Sequence, residues 1–148
     1  MQNLNFQDFE FRFKNSENKV LIYDEIRKKF VVLQPEEWVR QHWIKYLIYI
    51  KKYPKSLINV EKTFLVNGLK KRYDIVVFHS NGSINLIVEC KSYQTKITQD
   101  TFDQIARYNM ALNADYLIVS NGIEHYYAFI DFKLKNYRFL KDIPTFKQ

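Results

Sequence analysis

Two β-rich runs, Tyr73-Asp74-Ile75-Val76-Val77-Phe78 and Ile84 through Glu89-Cys90, flank Asn81-Gly82. Asn-Gly tolerates the positive φ angles of a tight hairpin turn, so the pattern predicts two paired antiparallel strands. Pairing residues equidistant from the turn puts Val76 opposite Ile87 and Asp74 opposite Glu89. Alternation then places Arg72 and Lys91 on the face of those two carboxylates. The reverse face reads Tyr73, Ile75 and Val77 against Leu86, Val88 and Cys90. Strands apolar on both faces belong in the middle of a covered sheet, so the charges gather at one end of a buried hairpin. Asn67-Gly68 repeats the device between Val60–Val66 and the Asp74 strand, and the same pairing sets Glu61 opposite Asp74. Glu61, Asp74 and Glu89 would then form one row across three strands.

Elsewhere the pattern predicts a strand with an exposed face over residues 6–14, and two short strands, Val20–Tyr23 and Phe30–Leu33, around Asp24-Glu25. Pro35 opens a helix at its first turn, where Glu36 and Glu37 meet the positive end of the helix dipole. Trp38, Val39, His42, Trp43, Tyr46, Leu47 and Ile50 continue that helix at 3.6-residue spacing to about Lys52. Thr98 or Thr101 caps a second helix whose buried stripe is Phe102, Ile105, Ala106, Asn109 and Leu112. Tyr116–Ser120 is a short apolar strand ended by Asn121-Gly122, reached by a crossover that makes it parallel to its neighbour. Tyr126–Phe132 is a further strand, and the lysine-bearing tail from Lys133 carries no clear pattern. The expected class is α/β with a mixed, α+β sheet: helix, three antiparallel strands, helix, strand. As a single domain it divides into a β element (1–34), a core (35–122), and a last strand and tail (123–148).

With 148 residues, 47% of them apolar and 17% aromatic, the chain has the material for one well-filled core. Apolar runs are soon interrupted by Lys or His, so no transmembrane helix is expected, and Met-Gln-Asn-Leu-Asn lacks the start of a signal peptide. The single cysteine, Cys90, precludes an internal disulfide and fits a reducing cytosol, where it packs as a small apolar residue. His42, His79 and His125 show no zinc-ligand spacing. The net charge of +7 favours a polyanionic partner such as nucleic acid.

Two opposed carboxylates repel unless a cation sits between or beside them. One reading of Asp74 and Glu89 is therefore a metal site, and its oxygen-only ligands suit magnesium or manganese rather than zinc. The other is a self-neutralising ion-pair quartet of Arg72, Asp74, Glu89 and Lys91. Glu61 reads more readily as a salt-bridge partner of Arg72 or Lys91 than as a ligand.

The helix–three strands–helix–strand order, with Asp on the second strand and Glu-x-Lys on the third, resembles the PD-(D/E)xK nuclease superfamily. More narrowly, it resembles the N-terminal nuclease-like domain of type I restriction enzyme R subunits in a short, stand-alone form. The resemblance rests on Tyr23–Lys29, Pro35–Gln41, Lys71–Val77, Val88-Glu89-Cys90-Lys91, Phe102–Asn109 and Ser120-Asn121-Gly122, and spans about residues 20–125. It implies that Asp74, Glu89 and the backbone carbonyl of Cys90 hold Mg2+ or Mn2+, and that Lys91 orients or activates the attacking water and stabilises charge on the phosphate. It also makes Glu37 an auxiliary acid and sets Gln104 at the border of the active site. The residues alone read equally as helix-dipole complement for Glu37, and for Gln104 they favour a partly exposed polar residue of the helix. No Gly-x-x-x-x-Gly-Lys loop occurs, so the resemblance does not extend to a translocating motor.

The implied function is a metal-dependent endonuclease hydrolysing DNA phosphodiester bonds in restriction, defence or DNA processing, in the cytoplasm. Its partners would be DNA, subunits of a restriction or repair system, or a second copy as a homodimer. The alternatives are a catalytically silent nucleic-acid-binding or assembly module of the same fold and, further off, an unrelated β-rich scaffold. Retention of the mutually repelling Asp74 and Glu89 together with Lys91 favours the enzyme.

Overall fold

The computed structural model describes residues 1–147; Gln148, the last residue of the tail, lies outside the described residues. Strands β1 (Phe13–Ser16), β2 (Lys19–Asp24) and β3 (Lys29–Val32) form a small antiparallel sheet, followed by helix α1 (Pro35–Lys45). α1 continues through a π-helical turn at Tyr46–Ile50. Then come β4 (Ile58–Val66), β5 (Leu69–Phe78), β6 (Ile84–Cys90), helix α2 (Gln99–Met110), β7 (Tyr116–Ser120), β8 (His125–Asp131) and β9 (Asn136–Leu140). The last six strands form one sheet in the order β4-β5-β6-β7-β8-β9, with β6 and β7 parallel and the remaining pairs antiparallel. No helix among the described residues is long and apolar enough to cross a membrane.

Each helix covers one face of this mixed sheet. Val39, Trp43, Ile44 and Leu47 of α1 pack on Ile75, Val77, Leu86, Val88, Cys90 and Ile118. Phe102 and Ala106 of α2 pack on Val76, Ile87, Leu117, Val119 and Ala128. Pro35 opens α1 and Thr98 caps α2, its hydroxyl accepting the Thr101 N–H at 3.2 Å. Covering both faces is what permits the parallel β6–β7 pair to carry the unbroken apolar runs Leu86–Val88 and Leu117–Val119.

The N-terminal segment departs from the strand expected over 6–14, since regular pairing begins only at Phe13. Phe6 and Phe11 instead lie on α1: Phe6 is 4.9 Å from Trp43, and Phe11 is 5.0 Å from Trp38 and 4.8 Å from His42, centroid to centroid. An edge strand would leave half of these rings in water; as a strap they bury against the aromatic stripe of the helix. The tail, patternless in sequence, forms β9 by pairing with β8.

The strap passes over Gly122, which sits at φ +87, where a Cβ would lie 3.0 Å from Leu4 and 3.1 Å from Val39. Gly122→Ala should therefore cost about 1–2 kcal/mol for the left-handed backbone alone, before any clash. A thermal melt followed by circular dichroism checks this; an unchanged midpoint would contradict both the left-handed backbone at Gly122 and the seating of the strap on it.

Both hairpins run at the expected registers over most of their length. β5 and β6 pair Ile75 with Val88, Val76 with Ile87 and Val77 with Leu86, then shift by one residue at Phe78. β4 and β5 pair from Val66↔Leu69 to Lys62↔Tyr73 and from Val60↔Ile75 onward, and skip Glu61 and Asp74. Glu61 has φ +57, a left-handed conformation that breaks the ladder at this level. Side-chain alternation breaks with it: Tyr73 packs with Val76 and Ile87 on the α2 side, not with Ile75 and Val77 as alternation expects.

Candidate functional site

The break in the ladder frees Glu61 and Asp74 from the pleat and turns them toward the first turns of α1. There Glu37, Arg40, Gln41 and Ile44 form a buried stripe at helical spacing, and three of the four are polar. A second group comes from the turn after β2. Asp24, fully buried, accepts the backbone N–H groups of Ile26 and Arg27 at 2.8 Å each through Oδ1. Its Oδ2 accepts Arg27 Nε at 2.7 Å and Gln41 Nε2 at 2.9 Å.

From there an alternating chain of charges leads to the sheet. Arg27 Nη2 donates to both Glu37 oxygens at 2.9 Å, and its Nη1 reaches Glu61 Oε2 at 3.2 Å. Arg40 donates through Nη1 to Glu37 Oε1 at 2.7 Å and through Nη2 to Asp74 Oδ1 at 2.7 Å. Asp74 Oδ2 accepts the backbone N–H of Cys90 at 2.9 Å, which ties the carboxylate across β5 and β6. Burial works against the Arg40 charge, and Glu37 and Asp74 more than restore it. Charged groups this buried persist only when paired and hydrogen-bonded, and every carboxylate from Asp24 to Asp74 meets that condition.

Glu89 does not. The β5–β6 register, carried one step beyond Ile75↔Val88, brings it opposite Asp74, yet its buried Oε1 has no hydrogen-bond partner among the described residues. Burial, and then the negative charge of Asp74, push the Glu89 carboxyl up to about 8, with Lys71 and Lys91 pulling partly the other way. Lys71 lies 3.8 Å above the ring of Tyr108 on α2; burial lowers its ammonium, the charge of Glu89 opposing and that of Lys91 adding to the effect. Lys91 follows β6, its N–H bonded to Ser120 O of β7 at 2.8 Å. Its charge acts on Glu89 and on Glu36, though no carboxylate among the described residues pairs with it directly.

The quartet of Arg72, Asp74, Glu89 and Lys91 therefore does not form. Arg72 is exposed, and the cation against Asp74 is Arg40, delivered by the helix. Glu61 likewise pairs with Arg27 and, at 3.8 Å, with Arg40, rather than with Arg72 or Lys91, because its left-handed backbone aims it away from the strand face. Glu37 reaches Asp74 only through Arg40, and its oxygens are already taken by Arg27, Arg40 and Gln41. Gln104 is exposed on α2 and has no hydrogen-bond partner among the described residues. The Cys90 thiol is buried, and that burial raises it well above its ordinary range, so it is no nucleophile. Arg40, Arg27, Asp24, Gln41 and Lys71 escaped assignment from sequence. The one local signal was polar Glu37, Arg40 and Gln41 standing where an apolar stripe should continue toward Ile44.

Among the described residues, no group of three or more His, Cys, Asp or Glu converges in metal-binding geometry. The donor set nevertheless fits a hard divalent ion. The unpartnered Glu89 Oε1, the free lone pairs of the Asp74 oxygens and a strand carbonyl at Cys90 are all oxygen, as magnesium and manganese require. A proton held by Glu89 near neutral pH marks a place where a cation could replace it.

No curated protein matches the chain. The family model described as the type I restriction enzyme R protein N terminus matches residues 35–144, from the first turn of α1 through the tail beyond β9. That span contains Glu37, Arg40, Asp74, Glu89, Lys91 and Gln104, and on this match the chain belongs to the family of the type I restriction enzyme R protein N terminus.

Proposed function

We propose that the chain is a metal-dependent endonuclease domain of a restriction-related system, acting on DNA phosphodiester bonds within a PD-(D/E)xK-type site. The observation that carries this reading is the buried Glu89 Oε1, which has no hydrogen-bond partner among the described residues, on a proton-retaining carboxyl beside Asp74, with a lysine two residues on that no carboxylate among the described residues pairs with. Two carboxylates side by side cost the fold stability when both are ionised, unless a proton or a further cation joins them. Asp74, Glu89 and the carbonyl of Cys90 would hold Mg2+ or Mn2+, which would supply an activated water and neutralise charge on the phosphate. Lys91 donates to the non-bridging phosphate oxygen or to the incoming water, where charge develops. Arg40 and the Cys90 N–H fix the rotamer of Asp74, and Glu37 holds Arg40. Glu37 and Arg40 are thus positioning residues. Partner subunits of the restriction system would act together with this chain.

Asp74→Ala, Glu89→Ala and Lys91→Ala should each abolish magnesium- or manganese-dependent nicking of supercoiled plasmid, while Glu37→Ala and Gln104→Ala reduce it less. Nicking that survives both carboxylate substitutions would reject the site.

The Arg40–Asp74 contact of 2.7 Å favours a second reading. A guanidinium already neutralises one carboxylate, as in a catalytically silent DNA-binding or assembly module. Melting curves separate the two: a silent module gains no stability from magnesium at any pH.

A further inference from the structure

The β4–β5 hairpin runs past the rest of its sheet. β6 joins β5 only from Ile75 onward, so among the described residues Lys62–Val66 and Leu69–Tyr73 pair only with each other. The result is a two-stranded ribbon of five ladder pairs, roughly 17 Å long at about 3.4 Å per residue. It carries four cations, Lys62, Lys70, Lys71 and Arg72, and no acidic residue. One face is braced, with Phe64 packed 5.8 Å from Tyr73 and 6.4 Å from Phe78, ring to ring. On the other, the cross-strand pairs Thr63↔Arg72 and Leu65↔Lys70 are all exposed, Leu65 to 71%. That open face leads along β5 to Asp74.

We propose that this ribbon is the docking element for duplex DNA: it enters the major groove and sets the backbone against Asp74 and Glu89. The substrate class rests on the nuclease reading, and the ribbon's role is additional to it. B-DNA's major groove, about 12 Å wide, admits a two-stranded β-ribbon. Lys70 and Arg72 would meet phosphates flanking the groove, and Leu65 at the tip offers apolar contact to thymine methyl groups. A ribbon bearing only positive charge, braced behind and open in front, fits this polyanion better than a second copy of the same basic chain.

The test is anisotropy of a short labelled duplex titrated with the full chain, in EDTA, over a series of potassium chloride concentrations. Lys70→Gln/Arg72→Gln should weaken binding uniformly across sequences and make the slope of log affinity against log salt shallower by about 2. Its melting temperature and its response to manganese should match the wild type. Wild-type affinity and slope in the variant would overturn the ribbon's role while leaving the metal site standing. So would a variant that loses self-association in sedimentation yet binds DNA normally, because the ribbon would then join copies of the chain. A wild type that binds no duplex even at low salt would overturn both the ribbon's role and the nuclease reading.

Discussion

Replacing Arg40 with methionine is expected to destabilise the fold by about 3–5 kcal/mol, the cost of leaving buried carboxylates without their cation. Arg40 is 7% exposed and is the only link between the Glu37 and Asp74 carboxylates among the described residues. Methionine keeps the apolar stem, so the loss measured is that of charge and hydrogen bonds rather than of packing. Glu37 retains Arg27, whereas Asp74 keeps only the Cys90 N–H and faces Glu89. The damage therefore concentrates at Asp74 and should deepen as Glu89 ionises. Arg40→Met/Asp74→Asn should recover much of the loss, and the cycle formed with the two single variants gives a coupling energy well above the roughly 0.5 kcal/mol seen for independent sites. Urea titrations check it. A loss below about 1 kcal/mol would place the network among solvated ion pairs of little consequence.

The second large effect is a pH dependence of stability set by Glu89. Its carboxyl is pushed from the ordinary 4.5 up to about 8, by burial and then by Asp74. A raised folded-state value means that the folded protein binds a proton the unfolded chain has released. Glu89 therefore adds stability that is complete below about pH 4.5 and is lost as pH rises through about 8. At about 1.4 kcal/mol per pKa unit, the span is of the order of several kcal/mol. Glu89→Gln keeps the shape of the protonated acid and should remove this decline, leaving the variant more stable than wild type at pH 9. Magnesium should restore the wild type at alkaline pH, where it replaces the proton, and leave the Gln variant unmoved. Melts at pH 5, 7 and 9, with and without magnesium, check both statements. A wild type that holds its midpoint between pH 5 and 9 would remove the buried, proton-bound Glu89 from the account.

Much of the sheet could be read from the chain because its signals are local. Asn67-Gly68 and Asn81-Gly82 mark the two hairpins; the first sets its register directly, whereas in the second the one-residue shift at Phe78 is what brings Asp74 beside Glu89. Pro35 and Thr98 mark helix starts for reasons confined to one turn each. The α/β class and the order of helices and strands follow from such cues. The residues surrounding the carboxylates depend instead on contacts between distant segments. Nothing near Arg40 in sequence says that it reaches Asp74 rather than water, and nothing near Asp24 says that Arg27 will turn toward Glu37. The left-handed Glu61 is equally silent, because a β-rich run gives no hint of where its ladder will break. The strap of Phe6 and Phe11 is hidden for a related reason: aromatic residues spaced along an extended segment suit an edge strand and a helix-covering strap alike, and only the stripe of α1 decides between them.

The most direct test is manganese bound to crystals at alkaline pH and located by its anomalous scattering. A metal held as proposed gives a peak about 2.0–2.2 Å from carboxylate oxygens of Asp74 and Glu89, with the Cys90 carbonyl as a further ligand, and the peak disappears in Glu89→Gln. Crystals soaked in manganese that show no peak between Asp74 and Glu89, with Arg40 still bonded to Asp74, would contradict the proposed site.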